Sequence, residues 1–552
     1  MISSARYWFL LTLIVLVYIA GMFVTLFEND SAQFAVMAMR MVQENDFFTL
    51  IKGTEEYLDK PHMHYWLAAL SYKIFGIHDW AYRIPGILAT LLGAYSCYGL
   101  GKQLYNTDVG KLSALIFMTA QTIVLSAIDV RTDAVLTGFS IFAIWQLVLY
   151  VERNTLHNIL LGAFGAGIAF STKGQIALVV IGISLLCHLA YTRKWNRLLS
   201  WKVLLALLVF GLTISPMLYA YYLQFDLHPE KIIRGKSNRS GIFFILWEQS
   251  FERMSGEGVG KNSNDFFFFF HTFLWVFLPW TVIALLGYWD GVKTFWKTRL
   301  AFNPKSEFLT VGGITILFFL ISFAQFKLPH YMNILIPLYS VLTAAYLIEI
   351  YEKSKKRTLK VLLGVQYFIL SLVFIFALLA CFYVFDFNGI QYYLLLLILF
   401  MVICHFCLKR EEYFKRIITL SAYSAILLNV VLNIHFYPSL LEYQAGSTMA
   451  EKVTEHSIPV DNIYKISKRH TWALDFYNKK PVNIVDVSDL EKIPKAWVYA
   501  TDEELQKLRA AGYHWHDEIT VDQFRITRLQ IKFLNPHTRS KKLNKMHLVH
   551  LD

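Results

Sequence analysis

Residues 29–66 read NDSAQFAVMAMRMVQENDFFTLIKGTEEYLDKPHMHYW. They follow an unbroken apolar run, Tyr7 to Phe27, that begins just after Arg6. About 20 such residues suffice to cross the hydrocarbon core of a bilayer. The run is longer than a signal-peptide core and lacks a small-residue cleavage site, so it is expected to remain as a first transmembrane helix. The stretch 29–66 therefore emerges at a membrane face. Within it, Gln33, Arg40 and Glu44 fall on one thin polar stripe of a helix over 31–43, while Phe34, Met37 and Met41 lie off it. Residues 62–75 repeat the pattern, with Pro61 placed to start a helix and Tyr65 and Trp66 suited to headgroup depth. Two short helices lying along the interface are the expectation.

The rest of the chain agrees with a membrane setting. Of 552 residues, 56% are hydrophobic and only 17% charged, well below the charge of a soluble domain. Runs such as Phe266–Phe270 would aggregate in water. Apolar windows of spanning length recur near 7–27, 83–104, 109–128, 133–151, 157–172, 174–191, 201–222, 266–289, 308–324, 331–350, 360–385, 391–408 and 416–435. The hydropathy criterion thus gives about thirteen spans. The short pair 157–172 and 174–191 has the alternatives of one merged helix or two half-helices around Lys173.

The net charge of +12 would suggest nucleic acid in a soluble protein, but its distribution argues against that. The positive residues fall in alternate short loops: Lys102 and Lys111, Arg153, Arg193 to Lys202, Lys293 to Lys305, Lys353 to Lys360, and Lys409 to Arg416. That bias orients the chain with its N-terminus cytoplasmic. The opposite face receives the stretch 29–82, the turns IDVRTD, TKG and FKLPH, a long loop over 223–265, and everything after about 440. An odd number of spans places that last part outside the cytoplasm. The expected division is a transmembrane domain over 1–440 and a small extracytoplasmic α/β domain over 441–552, where VNIVDV and KAWVYA read as strands and TDEELQKLRAAG as a helix. All five cysteines, Cys97, Cys187, Cys381, Cys404 and Cys407, lie in apolar runs. Packing is the expected role even for the C-x-x-C at 404–407.

Chemistry is expected on the outer face. Asp30 stands at the exit of the first span, where it suits a helix cap and equally a general base at the membrane surface. Asp59, Lys60 and Pro61 place a cation beside a helix start, a natural position for phosphate. Arg131 and Asp133 share a very short turn between spans. Charges this close to hydrocarbon are costly and point to pairing or function; the simplest structural reading pairs the two with each other. Lys173, and Lys327 with His330 and Tyr331, occupy further tight outer turns. Each could anchor a helix end by snorkelling, but together they suggest a converging cationic site. A transporter or lipid flippase would instead carry charges at mid-span, broken helices and repeated halves. A scaffold would leave the turn charges without purpose.

An acid after the first helix, an acid–Lys–Pro step before an aromatic helix with Tyr65–Trp66, then R-T-D, T-K-G, HTFLWVFLPW and K-L-P-H-Y in that order resemble the GT-C glycosyltransferases. The chain is most similar to the branch holding the lipid A aminoarabinose transferases and protein O-mannosyltransferases. The likeness covers residues 1–350 well and the remainder in architecture only. It implies an α-helical polytopic membrane protein of the GT-C fold. It also implies an inverting transferase that takes a sugar from a polyprenyl-phosphate donor to a lipid or protein acceptor at the cytoplasmic (inner) membrane. By position, Asp30 and Asp133 match the family's two acids, and Lys60 matches the donor-phosphate lysine, with Arg131 and Lys327 as weaker phosphate-site matches. Tyr57 and Tyr331 match site-lining tyrosines. Asp59 and Lys173 are expected on the substrate. The chain departs from the family pattern at Ser31, Phe34 and His62, which bears on acceptor and sugar identity more than on the reaction type. No cofactor is required by this reading, although Asp59, His62, His64 and His271 could offer ligands to a divalent metal.

Overall fold

The computed structural model describes residues 3–233, 235, 237–249, 251–252, 265–304, 306–385, 389, 397, 400 and 411–551. Lys305, Lys409, Arg410, Cys404, Cys407, nearly all of the window 391–408 and parts of the loop 223–265 lie outside them.

The chain is a multi-pass helical membrane protein with a small sheet near its C-terminal end. Helix α1 (Ser4–Met22) is followed by two short helices, α2 (Asp30–Gln43) and α3 (Met63–Phe75). The link between these carries a two-residue hairpin, β1 (Ile51–Lys52) against β2 (Glu55–Glu56). Helices α4 (Asp79–Leu104), α5 (Thr107–Thr119), α6 (Gln121–Ile128), α7 (Asp133–Arg153), α8 (Leu156–Lys173), α9 (Ile176–Thr192) and α10 (Trp201–Tyr221) come next. Among the described residues, seven helices are long and apolar enough to cross a bilayer, or eight if α5 and α6, bent by 54°, form one span. The other hydropathy windows outside 391–408 also carry helix, but in shorter or broken pieces. The window 266–289 splits into Phe268–Val276 and Thr281–Thr298. The pair at 157–191 is two separate helices that turn at Gly174, whose φ of +74° suits glycine.

Tight contacts set the packing. Gly138 of α7 lies so close to α4 that a Cβ there would meet the Ala89 carbonyl oxygen at 2.1 Å. Small residues let two membrane helices approach in this way. Arg83, fully buried in α4, donates to the carbonyls of Ile128 at 2.8 Å, Met22 at 2.9 Å and Thr25 at 3.3 Å. The Ile128 and Met22 carbonyls are the last of α6 and α1, which no helix neighbour can satisfy, and Thr25 lies just past the end of α1. One guanidinium therefore fixes the point at which the chain leaves its first span. The apolar side of α2 is covered by protein: Phe34 meets the rings of His64 and Tyr65 edge-on, and Trp472 and Phe476 join the same apolar cluster.

The C-terminal sheet has five strands in the order β4-β3-β5-β7-β6. They are β3 (Ile463–Lys465), β4 (Asn483–Ile484), β5 (Trp497–Thr501), β6 (Trp515–Gln523) and β7 (Asn544–Leu551). β3 pairs in parallel with β4 and β5, while β7 runs antiparallel to β5 and β6. A helix over Asp502–Ala510 starts in a capping box between Thr501 and Glu504 and covers one face. The sheet is fastened to the end of the spans at which α1 stops. The Gln444 side chain donates to the Leu26 carbonyl at 2.8 Å and accepts from the Glu28 amide at 2.7 Å. The Tyr477 hydroxyl accepts from the Leu26 amide at 2.9 Å and donates to Asp79 at 3.2 Å.

Candidate active site

The exit of α1, the turn between α6 and α7, and the turn before Pro329 meet around a cavity of about 660 Å³. Its wall includes Asp30, Asp129, Arg131, Asp133, His330 and Asn333 from the spanning part, and His470, Trp472, Arg525 and Arg528 from the C-terminal part.

The charges at its floor form one chain of contacts. Arg131 reaches the Asp30 carboxylate at 3.0 Å and the Asp129 carboxylate at 2.8 Å, and its Nη1 lies 3.3 Å from His330 Nδ1. The other ring nitrogen of His330 stands 3.8 Å from Asp133 Oδ2. Asp133 Oδ1 accepts from Lys173 at 2.6 Å, and the Lys173 ammonium sits 5.0 Å from the centre of the Tyr331 ring, a cation–π distance. Burial opposes the Arg131 charge, but Asp129 and Asp30 outweigh burial and push its pKa upward. The two acids differ in access. The Asp133 side chain is 2% exposed, whereas that of Asp30 is 44% exposed. Asp133 is a fixed counter-charge; Asp30 is an oriented carboxylate that faces open space.

The expected pairing of Arg131 with Asp133 gives way to different partners. Asp133 opens α7 with its carboxylate buried toward Lys173, whereas Arg131, in the turn before the helix, reaches Asp30 and Asp129. Asp30, Arg131, Asp133, Lys173 and Tyr331 thus come together. The step 57–60 approaches from one side. Lys60 acts electrostatically on the His330 ring, as do Lys173 and Arg131. The Gln249 side-chain amide donates to the Asp59 carbonyl, and the Tyr57 ring sits 6.5 Å from that of Tyr65. None of Tyr57, Asp59, Lys60, Lys173, Lys327 or Tyr331 lines the cavity wall; Lys173 and Tyr331 stand behind Asp133. Lys327 is buried and donates to the Asp265 carbonyl at 2.6 Å.

Three of the four possible metal donors have separate partners: His62 Nε2 lies 2.9 Å from the Phe48 carbonyl, His64 Nε2 is 2.9 Å from the Tyr82 hydroxyl, and His271 pairs with Asp265 at 2.9 Å. Burial pushes His62 down to about 4. Among the described residues the four donors do not gather around one point. Sequence reasoning missed Asp129, although it stands in the same turn as Arg131. It also missed Arg83, whose signal was a lone cation inside an apolar helix, and the wall from 470–472 and 525–528, which no local pattern reveals.

Residues 59–219 match the family model described as dolichyl-phosphate-mannose-protein mannosyltransferase. An undecaprenyl phosphate-alpha-4-amino-4-deoxy-L-arabinose arabinosyl transferase of Proteus mirabilis is 24% identical over 342 residues, covering 61% of this chain and 58% of that relative. The enzyme of the same name from Pseudomonas paraeruginosa is 26% identical over 316 residues, 56% and 53% of the two chains. The match spans less than two thirds of the length of these curated relatives. Among solved structures, ArnT from Cupriavidus metallidurans bound to undecaprenyl phosphate superposes with a TM-score of 0.74 at 16% identity, covering 99% of this chain and 98% of that one. Its apo form gives a TM-score of 0.73 at 17% identity. The fold is therefore that of the ArnT structures, and in sequence the chain is similar to the aminoarabinose transferases and, over residues 59–219, to the mannosyltransferase family model.

Proposed function

We propose that this protein transfers a sugar from a polyprenyl-phosphate carrier to an envelope glycolipid, such as lipid A, at the outer face of a cytoplasmic membrane. The relatives' names supply the donor class: undecaprenyl phosphate carrying an amino-deoxy-arabinose. The observation that carries the reading is the paired arrangement of Asp30 and Asp133 around Arg131 and His330. One carboxylate is open to the cavity and the other is closed off by Lys173.

In this reading Asp30 accepts the proton of the attacking group. Arg131 fixes the orientation of the Asp30 carboxylate, and geometry of this kind comes before acidity in general-base catalysis. The leaving group is a lipid phosphate, which departs easily once its charge is met. Lys60 supplies that charge with Arg131 and Lys327, since fixed cations near a dry interface act strongly. Attack from the Asp30 side, opposite the departing phosphate, inverts the anomeric centre in a single displacement. Tyr57, Asp59, Lys173 and Tyr331 shape the sugar's surroundings. Residues 1–440 perform the chemistry with the N-terminus cytoplasmic. Residues 441–552 form the outer wall of the cavity.

The test is transfer from a labelled polyprenyl-phosphate sugar in membranes carrying Asp30→Asn or Lys60→Ala. We expect each variant to lose about 10²-fold or more, the scale of a missing general base or charge-stabilising donor. Wild-type rates in both would overturn the mechanism.

A further inference from the structure

We propose that the C-terminal sheet holds a divalent transition metal ion at His516, Asp517 and His550. The three donors come from the neighbouring strands β6 and β7. Along an unbroken strand successive side chains point to opposite faces, so the adjacent His516 and Asp517 would normally be separated by the sheet. Here the ladder pairs Trp515 with Leu551 and Asp517 with His550. His516 is therefore an extra residue, a bulge that breaks the alternation and re-aims its side chain.

The result is a convergence of three ligand atoms within 4.8 Å of one another. His516 Nε2 lies 3.6 Å and His550 Nδ1 3.8 Å from Asp517 Oδ2. Donors about 2.0–2.2 Å from a tetrahedral zinc ion sit roughly 3.3–3.5 Å apart, so each histidine needs to approach Asp517 by only a few tenths of an ångström, and the exposed His516 side chain is the one that turns to complete the set. His550 Nδ1 is shielded from solvent and has no hydrogen-bond partner. The stacking of Trp497 on the His550 ring, with centroids 4.7 Å apart, holds that nitrogen toward Asp517. Two imidazoles and one carboxylate select zinc-like ions over calcium or magnesium. The side chains of His516 and Asp517 are 67% and 60% exposed, which leaves a route in and an open fourth position.

A second histidine of the sheet shows what a site without this capacity looks like. His547 binds Glu518 through Nδ1 at 2.8 Å and Asp502 through Nε2 at 2.9 Å. Its two carboxylates lie on opposite sides of the ring and cannot share an ion. The proposed site lines neither the main cavity nor the second cavity beside Glu28. The ion would clip the bulge to β7, the strand between β5 and β6.

The experiment uses the full-length protein in detergent, stripped of metal and titrated with cobalt(II), then zinc(II). The wild type should bind one equivalent with the visible absorption of four-coordinate cobalt, lost on adding zinc, and zinc should raise its melting temperature. His516→Ala and Asp517→Asn sit on exposed positions and should fold normally. Each should weaken binding by at least tenfold and abolish the zinc-dependent thermal shift. Unchanged affinity and spectrum in these variants, or no stoichiometric binding by the wild type, would overturn the site.

Discussion

At the scale of single residues, the buried contact between Asp133 and Lys173 defines what the cavity tolerates. Both groups are largely withdrawn from water, so removing one charge strands the other. Breaking such a pair costs about 3–5 kcal/mol, whereas replacing both members with apolar or neutral groups is often nearly neutral. Asp133→Asn should therefore lower the melting temperature in detergent sharply. The double variant Asp133→Asn with Lys173→Met should recover most of that loss. A double variant no more stable than the single one would show that the pair is not the source of the effect. Arg131, Asp133 and Lys173 were legible as charges at tight turns beside apolar helices. Their partners were not, because neighbours in sequence diverge at the start of α7. Arg83 escaped notice for a related reason: a hydropathy window averages over one arginine, and only the folded chain shows three helix-end carbonyls around it.

Among the elements, the crossing of α4 and α7 transmits position to the site. α4 carries Arg83, which holds the chain where α1 and α6 end, and α7 begins at the cavity residue Asp133. A Cβ at Gly138 would strike backbone of Ala89, which cannot swing aside, whereas one at Gly86 would meet only side-chain carbons at 3.4 Å and beyond. Overpacking of this kind costs about 1–3 kcal/mol. Gly138→Ala should lower thermal stability and slow transfer, and Gly86→Ala should leave both near wild type. Equal behaviour of the two variants would remove close packing as the cause. Helices were readable from apolar length, and the sheet from alternation in KAWVYA. The break at 277–280 was marked by Pro279, but the apolar window absorbed it; the bend between α5 and α6 was not readable, since no Gly or Pro stands at Ala120.

The whole molecule joins its membrane and sheet portions through Glu28, two residues before Asp30. Its carboxylate accepts from the Ala473 amide at 3.1 Å, and the helix Trp472–Tyr477 brings Trp472 to the cavity wall. Glu28 is half-buried against this segment, beside the second cavity. Burial, helped by the nearby negative charge of Asp475, raises its pKa to about 8 although the Ala473 and Trp472 amides and Lys465 pull the other way. Burial likewise raises Asp475 to about 6. The folded chain thus holds protons that the unfolded chain releases, from the ordinary carboxylate range near pH 4 up to about pH 8. Stability falls with rising pH wherever the folded state binds more protons. The contribution is complete below that window and lost above it, the reverse of a salt-bridged acid. We expect the melting temperature to decline between about pH 7 and pH 8.5, above the range in which the buried neutral His62 and His64 act in the opposite sense, with hydrogen exchange at 470–476 rising in parallel. Glu28→Gln should flatten this decline, and Asp475→Asn should shift it, because two acids this close titrate partly as a pair. Stability that rises across this window in the wild type, or a slope that survives in both variants, would separate these acids from the joint. If the joint behaves as expected, alkaline pH loosens Trp472 and His470 before it unfolds the spans, and transfer should fail at a pH where the helical signal is still intact.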